Sequence, residues 1–331
     1  MSKKVWITWE DHRRSRELAK EFNAYYIPIL LDAKRYIRYP VLAIRTFSYL
    51  CSSKPKIVFC QNPSIVLAGL LVLLKPIFRY YLIVDRHSNF KLEKAGCKSI
   101  QWRAFHFLSR ISVRNADMTI VTNKVLKEVC DRMGGKSIVL QDKIPFLHDV
   151  TPRQRPEFMA HVEKYQVVAV TTFDEDEPID EIVAASSEQS DFVIYLTGNF
   201  KKKYSGEQAN ALSKKNIILT GFIPDSDYLA LMEWSDLVVV LTDKDNILNC
   251  GAYEAISLEK PLLLSDTETL KSYFRDAAIY TKNKEKYILE SIEESLRNCQ
   301  SRKDATALAK VYLMSEWNKR FKAVCDIIYT E

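Results

Sequence analysis

Leu241-Thr-Asp-Lys-Asp-Asn-Ile-Leu-Asn-Cys-Gly-Ala-Tyr-Glu-Ala-Ile-Ser-Leu-Glu-Lys-Pro-Leu-Leu-Leu-Ser-Asp266 decides the fold. The apolar run Leu237–Leu241 ends at its start, and a polar loop follows. A helix then opens near Gly251 and runs to Leu258, and the apolar run Pro261–Ser265 comes next. Short apolar runs without polar alternation are strands buried on both faces, and a helix between two of them makes a parallel strand–helix–strand unit.

The same unit repeats outward in both directions. Towards the C-terminus, a strand at Ala278–Tyr280 lies between helices Glu268–Arg275 and Lys284–Ser301, and a last helix covers 305–329. Towards the N-terminus come strands Val167–Thr171, Phe192–Thr197 and Ile217–Thr220, with helices Ile179–Ser186, Ser205–Ser213 and Asp225–Trp234. The pattern breaks between Gln141 and Gln166, where Asp149–Glu157 holds two prolines and no periodicity and reads as a linker. Before it the alternation is present again, with strands Val5–Trp9, Ala24–Ile27, Ile57–Gln61, Tyr80–Val84, Met118–Val121 and Ser137–Leu140. Helices Arg14–Phe22, Arg38–Cys51, Ser64–Leu74, Ser99–Asn115 and Asn123–Met133 fill the gaps. An α/β chain of two doubly wound parallel-sheet domains is expected: residues 1–150, residues 151–315, and a C-terminal helix over 316–331 that packs back on the first domain.

Composition narrows the class. A chain of 331 residues, 47% hydrophobic and 27% charged, has the balance of a soluble protein. The formal charge of +6 suits an anionic substrate or an anionic membrane surface, or is a solvated lysine-rich surface. The basic residues are spread out and accompany no nucleic-acid-binding motif, so nucleic acid is not an expected partner. Seven cysteines without a Cys-x-x-Cys pair argue against a disulfide framework or a zinc site and for a reducing cytoplasm. The N-terminus enters a strand at once, without the apolar core of a signal peptide. The most apolar stretch, Ile65–Leu74, is too short to span a bilayer. It reads as a buried helix, or as one in interfacial contact with a membrane.

In open α/β sheets ligands bind beyond the carboxyl ends of the strands, and the chemistry-bearing loops lie there. The helix start at Asn249, Gly251 and Ala252 offers free backbone N–H groups to an anion such as a diphosphate. Glu254 is either a helix-dipole carboxylate or a bidentate acceptor for two ribose hydroxyls. After the first strand, Glu10-Asp-His-Arg-Arg-Ser-Arg16 joins His12 to arginine forks at Arg13 and Arg14. These suit phosphate or carboxylate groups of an acceptor or donor, or are exposed charge at a helix start. Asn62 either contacts an acceptor or belongs to a helix cap at Ser64.

The segment 221–272 resembles the donor region of group 1 (family 4) glycosyltransferases of the GT-B fold. It carries Gly221-Phe-Ile-Pro-Asp-Ser-Asp-Tyr and the Gly251–Glu254 helix start. The resemblance implies two Rossmann-like domains facing across a cleft. It also implies transfer from a nucleotide sugar (a UDP- or GDP-sugar) to a glycan or lipid-linked acceptor. Retention of configuration, metal-independent transfer and no cofactor are expected with it. The family marks its donor site with two glutamates separated by seven residues. Glu254 aligns with the second, which holds the ribose, whereas the first falls at Asn246, a departure. His87, in Asp85-Arg-His-Ser-Asn-Phe90, matches a histidine that lines the reaction centre, and with Asn246 it is the candidate for the chemistry. The loop at Phe222 and Ile223 would contact the base. A second departure is the loop Thr171-Thr-Phe-Asp-Glu-Asp-Glu-Pro-Ile-Asp180, which lacks the family's basic pair. It shares its Asp-Glu-Pro-Ile run with a subgroup of these transferases. Thr172 in this loop, with Lys201, Lys202 and Lys244 nearby in sequence, is the alternative set of phosphate contacts. The resemblance further implies surface polysaccharide or glycolipid assembly in the cytoplasm. Peripheral association with the inner face of a membrane would follow from a lipid-linked acceptor. A nucleotide-sugar 2-epimerase, a degenerate transferase that binds without turnover, and a two-domain solute-binding protein are the competing readings.

Overall fold

The computed structural model describes residues 3–330 except 63, 88–90, 92–93, 95, 148–152, 160–162 and 214. The chain divides into two compact units, Met1–Lys143 with Trp317–Glu331, and Ile144–Glu316. The division falls ahead of the proline-bearing stretch 149–157, of which 149–152 lie outside the described residues. Packing explains this placement: Ile144 and Leu147 belong to the core of the second unit, and Ser257 Oγ donates to the Pro145 carbonyl at 2.6 Å.

The first unit holds strands β1 (Lys4–Thr8), β2 (Tyr25–Pro28), β3 (Ile57–Asn62), β4 (Tyr81–Arg86), β5 (Met118–Val121) and β6 (Ser137–Val139). They pair in parallel in the order β2-β1-β3-β4-β5-β6. Helices α1 (Arg13–Glu21), α2 (Arg35–Ser53), α3 (Ile65–Phe78), α4 (Ile100–Asn115) and α5 (Lys124–Arg132) connect them. Both faces of the sheet are covered, so alternate residues enter different cores. Val5, Ile7, Val58 and Cys60 join one cluster with Leu42, Leu67 and Leu71. Trp6, Phe59 and Ile83 join another with Leu18 and Phe22. That two-sided burial is why the strands show no polar alternation. Trp317, Val324 and Ile328 pack into the second cluster. The Trp317 ring stacks on Phe321, and its Nε1 donates to the Gln141 carbonyl at 3.0 Å.

The second unit holds β7 (Tyr165–Ala169), β8 (Phe192–Thr197), β9 (Ile217–Gly221), β10 (Leu237–Val240), β11 (Leu262–Ser265) and β12 (Ile279–Thr281). Their parallel order is β12-β11-β10-β7-β8-β9. Helices α6 (Ile179–Ala184), α7 (Gly206–Ser213), α8 (Asp225–Glu233), α9 (Cys250–Ser257), α10 (Glu268–Phe274) and α11 (Glu285–Arg297) alternate with the strands, and α12 (Cys299–Thr330) ends the chain. The strand order of this unit is that of a dinucleotide-binding fold and reverses between β7 and β10, where such sheets bind ligands. In the first unit the reversal lies between β1 and β3.

Two helices run past prolines where the sequence suggests boundaries. α2 begins at Arg35, ahead of Pro40, and α3 continues through Pro76 to Phe78. Each proline removes one helical donor. In α2 buried Leu42 and Leu50, with the Trp9 Nε1 to Thr46 Oγ1 hydrogen bond of 3.0 Å, hold the helix in place. In α3 the loss falls in the last turn. The expected break between the final two helices, at 302–304, lies instead at Asn298. Among the described residues no helix is long and apolar enough to cross a membrane.

The turn after β8 fixes the loop after β7. Gly198 has φ +89°, and a Cβ there would lie 2.3 Å from the Thr171 carbonyl oxygen. Thr171 N–H donates to Thr197 Oγ1 at 3.0 Å, and Thr171 Oγ1 donates to the Thr197 carbonyl at 2.6 Å. Gly198→Ala combines backbone strain with a clash against main chain. It is expected to destabilise the protein by about 2–4 kcal/mol, read as a lower midpoint in urea.

Candidate functional site

In the second unit, the loops after β7 and β10 and the start of α9 converge at the reversal point. Gly251 permits the convergence, because a Cβ there would lie 2.9 Å from Val170 Cγ1. Asn249 precedes α9 in extended conformation without a side-chain cap. Its Oδ1 is buried and has no hydrogen-bond partner among the described residues. Ala252 N–H already bonds to the Asn249 carbonyl at 3.1 Å. Glu254 is the fifth residue of α9, past the first turn, so the dipole explanation for it weakens, since that effect fades within the first turn. Its side chain is buried, and Tyr228 on α8 donates to its Oε2 at 2.6 Å. The sequence reading missed Tyr228, because nothing in its own segment links it to a residue 26 positions away.

Phe222 and Ile223 follow β9. Ile223 packs on the core, while Phe222 is 83% exposed.

The acidic loop has a definite structure. Phe173 takes φ +59°, and the N–H groups of Thr172, Phe173 and Asp174 turn towards one carboxylate, that of Glu177. Their distances to Oε2 are 2.9, 2.7 and 3.3 Å, and Thr172 Oγ1 donates to Oε1 at 2.9 Å. Consecutive N–H groups arranged in this way form an anion nest, here filled from within the chain. The cations expected to serve phosphates are engaged with the same loop. Lys202 Nζ lies 2.7 Å from Asp174 and donates to the Thr172 carbonyl at 2.9 Å. Lys244 Nζ lies 2.9 Å from Asp176. Lys201 sits exposed in the short turn after β8. Asn246 follows β10 with φ +65°.

In the first unit, the candidate residues gather at the carboxyl ends of β1, β3 and β4. Arg14 corrects the expectation of a ligand-facing fork. Its guanidinium is buried and spends its donors inside the protein, on Asp85 (3.1, 3.0 and 2.8 Å), on Asp142 and on the Leu140 carbonyl (2.9 Å). Burial would raise the Asp85 carboxyl, but the Arg14 guanidinium overrides it and holds Asp85 far below the usual carboxylate range. Burial would likewise lower Arg14, and Asp85 and Asp142 hold it above its ordinary value. Arg13 pairs with Glu17 at 3.5 Å on the surface of α1.

His12 and His87 stack, with ring centroids 4.8 Å apart and planes at 22°. His87 Nδ1 lies 3.6 Å from Asp85 Oδ2. Burial first, and the neighbouring His87 second, hold the His12 imidazole below its ordinary value, so its neutral form is favoured. Thr8 Oγ1 donates to Gln61 Oε1 at 2.5 Å, next to the same strand ends. Asn62 closes β3, but its side chain lies outside the described residues, as do residues 88–90 of the loop after His87. Arg86, also buried, is pulled down to about 9 by desolvation. Asn123 Oδ1 caps α5 by accepting from Leu126 N–H at 2.9 Å.

Comparison with known proteins assigns this architecture. Residues 150–311 match the family model described as glycosyl transferases group 1. No curated protein sequence matches the chain. Among solved structures, Anabaena Alr3699/HepE in complex with UDP and glucose superposes with a TM-score of 0.73 at 10% identity, covering 100% of both chains. The UDP-forming trehalose-phosphate synthase of Burkholderia xenovorans gives 0.71 at 11% identity, covering 98% of each. The sucrose-phosphate synthase of Thermosynechococcus elongatus gives 0.71 at 16% identity, over 92% of this chain and 80% of that one. The fold is GT-B, and the match to the group 1 glycosyl transferase model lies within its second unit.

Proposed function

We propose that the chain is a glycosyltransferase that moves a sugar from a nucleotide-sugar donor, a UDP-sugar in first place, to a glycan or lipid-linked acceptor. The observation that carries the reading is Glu254, a buried carboxylate fixed by Tyr228 on the helix that opens at the β7/β10 reversal. A carboxylate there accepts two adjacent hydroxyls, which fits a ribose. Phe222 supplies a stacking face for the base, and the N-terminal end of α9 at Gly251 supplies a positive dipole end for the diphosphate. The Anabaena structures are complexes with UDP and with UDP-glucose, which favours uridine.

In the proposed reaction the bond from the anomeric carbon to the donor phosphate breaks, and the negative charge left on the diphosphate is held by main-chain N–H groups. Retention, with the departing phosphate accepting the acceptor hydroxyl proton, needs no carboxylate base. Within the first unit, His87, beside Asp85, and His12 are side chains able to hydrogen-bond hydroxyls of a sugar. Metal-independent transfer completes the proposal.

One observation favours a second reading. Glu177 fills the nest at 172–174, and Lys202 and Lys244 are paired with Asp174 and Asp176. A chain whose phosphate contacts are occupied in this way suits binding without turnover. Thermal stabilisation by UDP, GDP, ADP, CMP and their sugars, with and without EDTA, tests both. Stabilisation by one nucleotide, unchanged by EDTA and accompanied by release of that nucleoside diphosphate from its sugar, is the expected result. Stabilisation without any release selects the binding protein, and no stabilisation by any nucleotide overturns the donor assignment.

A further inference from the structure

α2, α3 and α4 are neighbours on the first unit. The Phe47 ring on α2 meets Phe78 on α3 edge-on, with centroids 5.7 Å apart. On its other side, a Cβ added at Gly69 of α3 would lie 3.4 Å from Leu108 Cδ2 on α4. Each helix buries one side and shows solvent another, and the exposed sides include large apolar residues. Ile44 on α2, Leu73 and Ile77 on α3, and Ile100 and Phe107 on α4 are each at least 65% exposed. The spacing is helical: on α3 Leu73 and Ile77 stand four residues apart, and on α4 Ile100, Ala104 and Phe107 follow one exposed line. Apolar lines on three adjacent helices are a surface that something covers.

Charge says what covers it. Asp and Glu make up 42 of the 331 residues, yet none falls in these three helices, which carry three arginines, one lysine and three arginines in turn. Lys75 is answered within the protein by Asp117 at 2.7 Å. The arginines of α4 stand beside its apolar line, and three basic side chains of this region, Lys98, Arg103 and Arg110, line a cavity of about 790 Å³ with His106, Phe107 and Met133. Arg38 is answered by Glu10 at 3.5 Å, but apolar side chains bordered by the arginines of α4, on helices that carry no carboxylate of their own, match the boundary between acyl chains and anionic headgroups. Self-association through this face would set arginines against arginines, which disfavours a second copy as the occupant.

We propose that the α2–α3–α4 face docks the protein on an anionic bilayer, with Leu73, Ile77 and their neighbours entering the headgroup boundary and Arg103 and Arg110 meeting lipid phosphates. The proposal agrees with a lipid-linked acceptor but rests on this surface alone. It therefore stands or falls separately from the donor site.

The test is flotation of the full chain with phosphatidylcholine vesicles, with and without phosphatidylglycerol, over a salt series. The wild type is expected to float with the anionic vesicles at low salt and to be released as salt rises. Leu73→Glu/Ile77→Glu is expected to bind at least about tenfold more weakly, with an unchanged thermal midpoint. Arg103→Ser/Arg110→Ser, both on the surface, is expected to lose about tenfold as well and serves if the first variant folds poorly. Leu308→Glu, an exposed leucine of the second unit, and Glu254→Gln are expected to float like the wild type. Equal flotation with neutral and anionic vesicles overturns the proposal, as does no flotation at low salt. So does a wild-type dimer on gel filtration that both surface variants convert to monomer, which would make the face a self-interface.

Discussion

Glu254→Gln is expected to weaken binding of the nucleoside diphosphate at least about 100-fold while leaving the fold intact. The substitution keeps an oxygen for Tyr228, whose hydroxyl donates to Oε2 at 2.6 Å, so α8 and α9 stay joined. What it removes is the charge that two ribose hydroxyls would share. Hydrogen bonds to a charged group contribute about 1.5–3 kcal/mol each, and two at the low end amount to about 3 kcal/mol, or about 100-fold. Tyr228→Phe removes the donor to Glu254, and a loss of about 3–10-fold is expected from one neutral donor. Isothermal titration with UDP separates the two. Wild-type affinity in Glu254→Gln would show that the carboxylate serves the packing of α9 and not a ribose. Deoxygenated nucleotides sharpen the reading, because 2′-deoxy-UDP should lose affinity in the wild type and lose none in Glu254→Gln.

The architecture was legible because both faces of each sheet are covered. Runs such as Leu237–Val240 and Leu262–Ser265 are apolar throughout, and their spacing around short amphipathic helices leaves parallel pairing as the economical arrangement. Element ends were less so. Pro40 and Pro76 mark boundaries in local terms, and tertiary burial of Leu42, Leu50 and Leu71 carries the helices past them. Within the site, Glu254 and its helix start were readable because a strand, a polar loop and a helix follow one another in a short span. The partners that give the site its geometry were not. Tyr228 reaches Glu254, Asp85 reaches Arg14 across 71 positions, and Lys244 reaches Asp176 across 68. Each of these pairs is fixed by which strands lie side by side, and residue type alone does not reveal that. The cations show the cost: read singly, Arg14, Lys202 and Lys244 look free for an anionic ligand, yet carboxylates from distant segments hold all three.

Asp85→Ala is expected to destabilise the first unit by about 3–5 kcal/mol, the largest stability effect in the chain. Asp85 is fully buried and accepts three hydrogen bonds from Arg14, and the substitution would leave a buried guanidinium with only Asp142 and the Leu140 carbonyl. An uncompensated buried charge carries that penalty, whereas replacement of both members of a buried pair by apolar side chains is often neutral. The double variant Arg14→Met/Asp85→Leu should therefore recover most of the loss, since Asp142 is partly exposed and can be hydrated. Tryptophan fluorescence in urea reports the transition, because four of the five tryptophans, Trp6, Trp9, Trp102 and Trp317, belong to this unit. The pH dependence follows from the direction of the shift. The carboxyl is depressed in the folded state from an ordinary value of 3.8, so the pair contributes in full above that value and loses its contribution as the pH falls below it. The gap between wild type and Asp85→Ala should be constant from neutral pH down to about pH 5 and narrow only in stronger acid. Arg14, raised above an ordinary 12.5, stays charged throughout and adds no slope. A gap that changed below pH 6.5, before that narrowing sets in, would instead point to the partly buried His12, whose imidazole is held below its ordinary value.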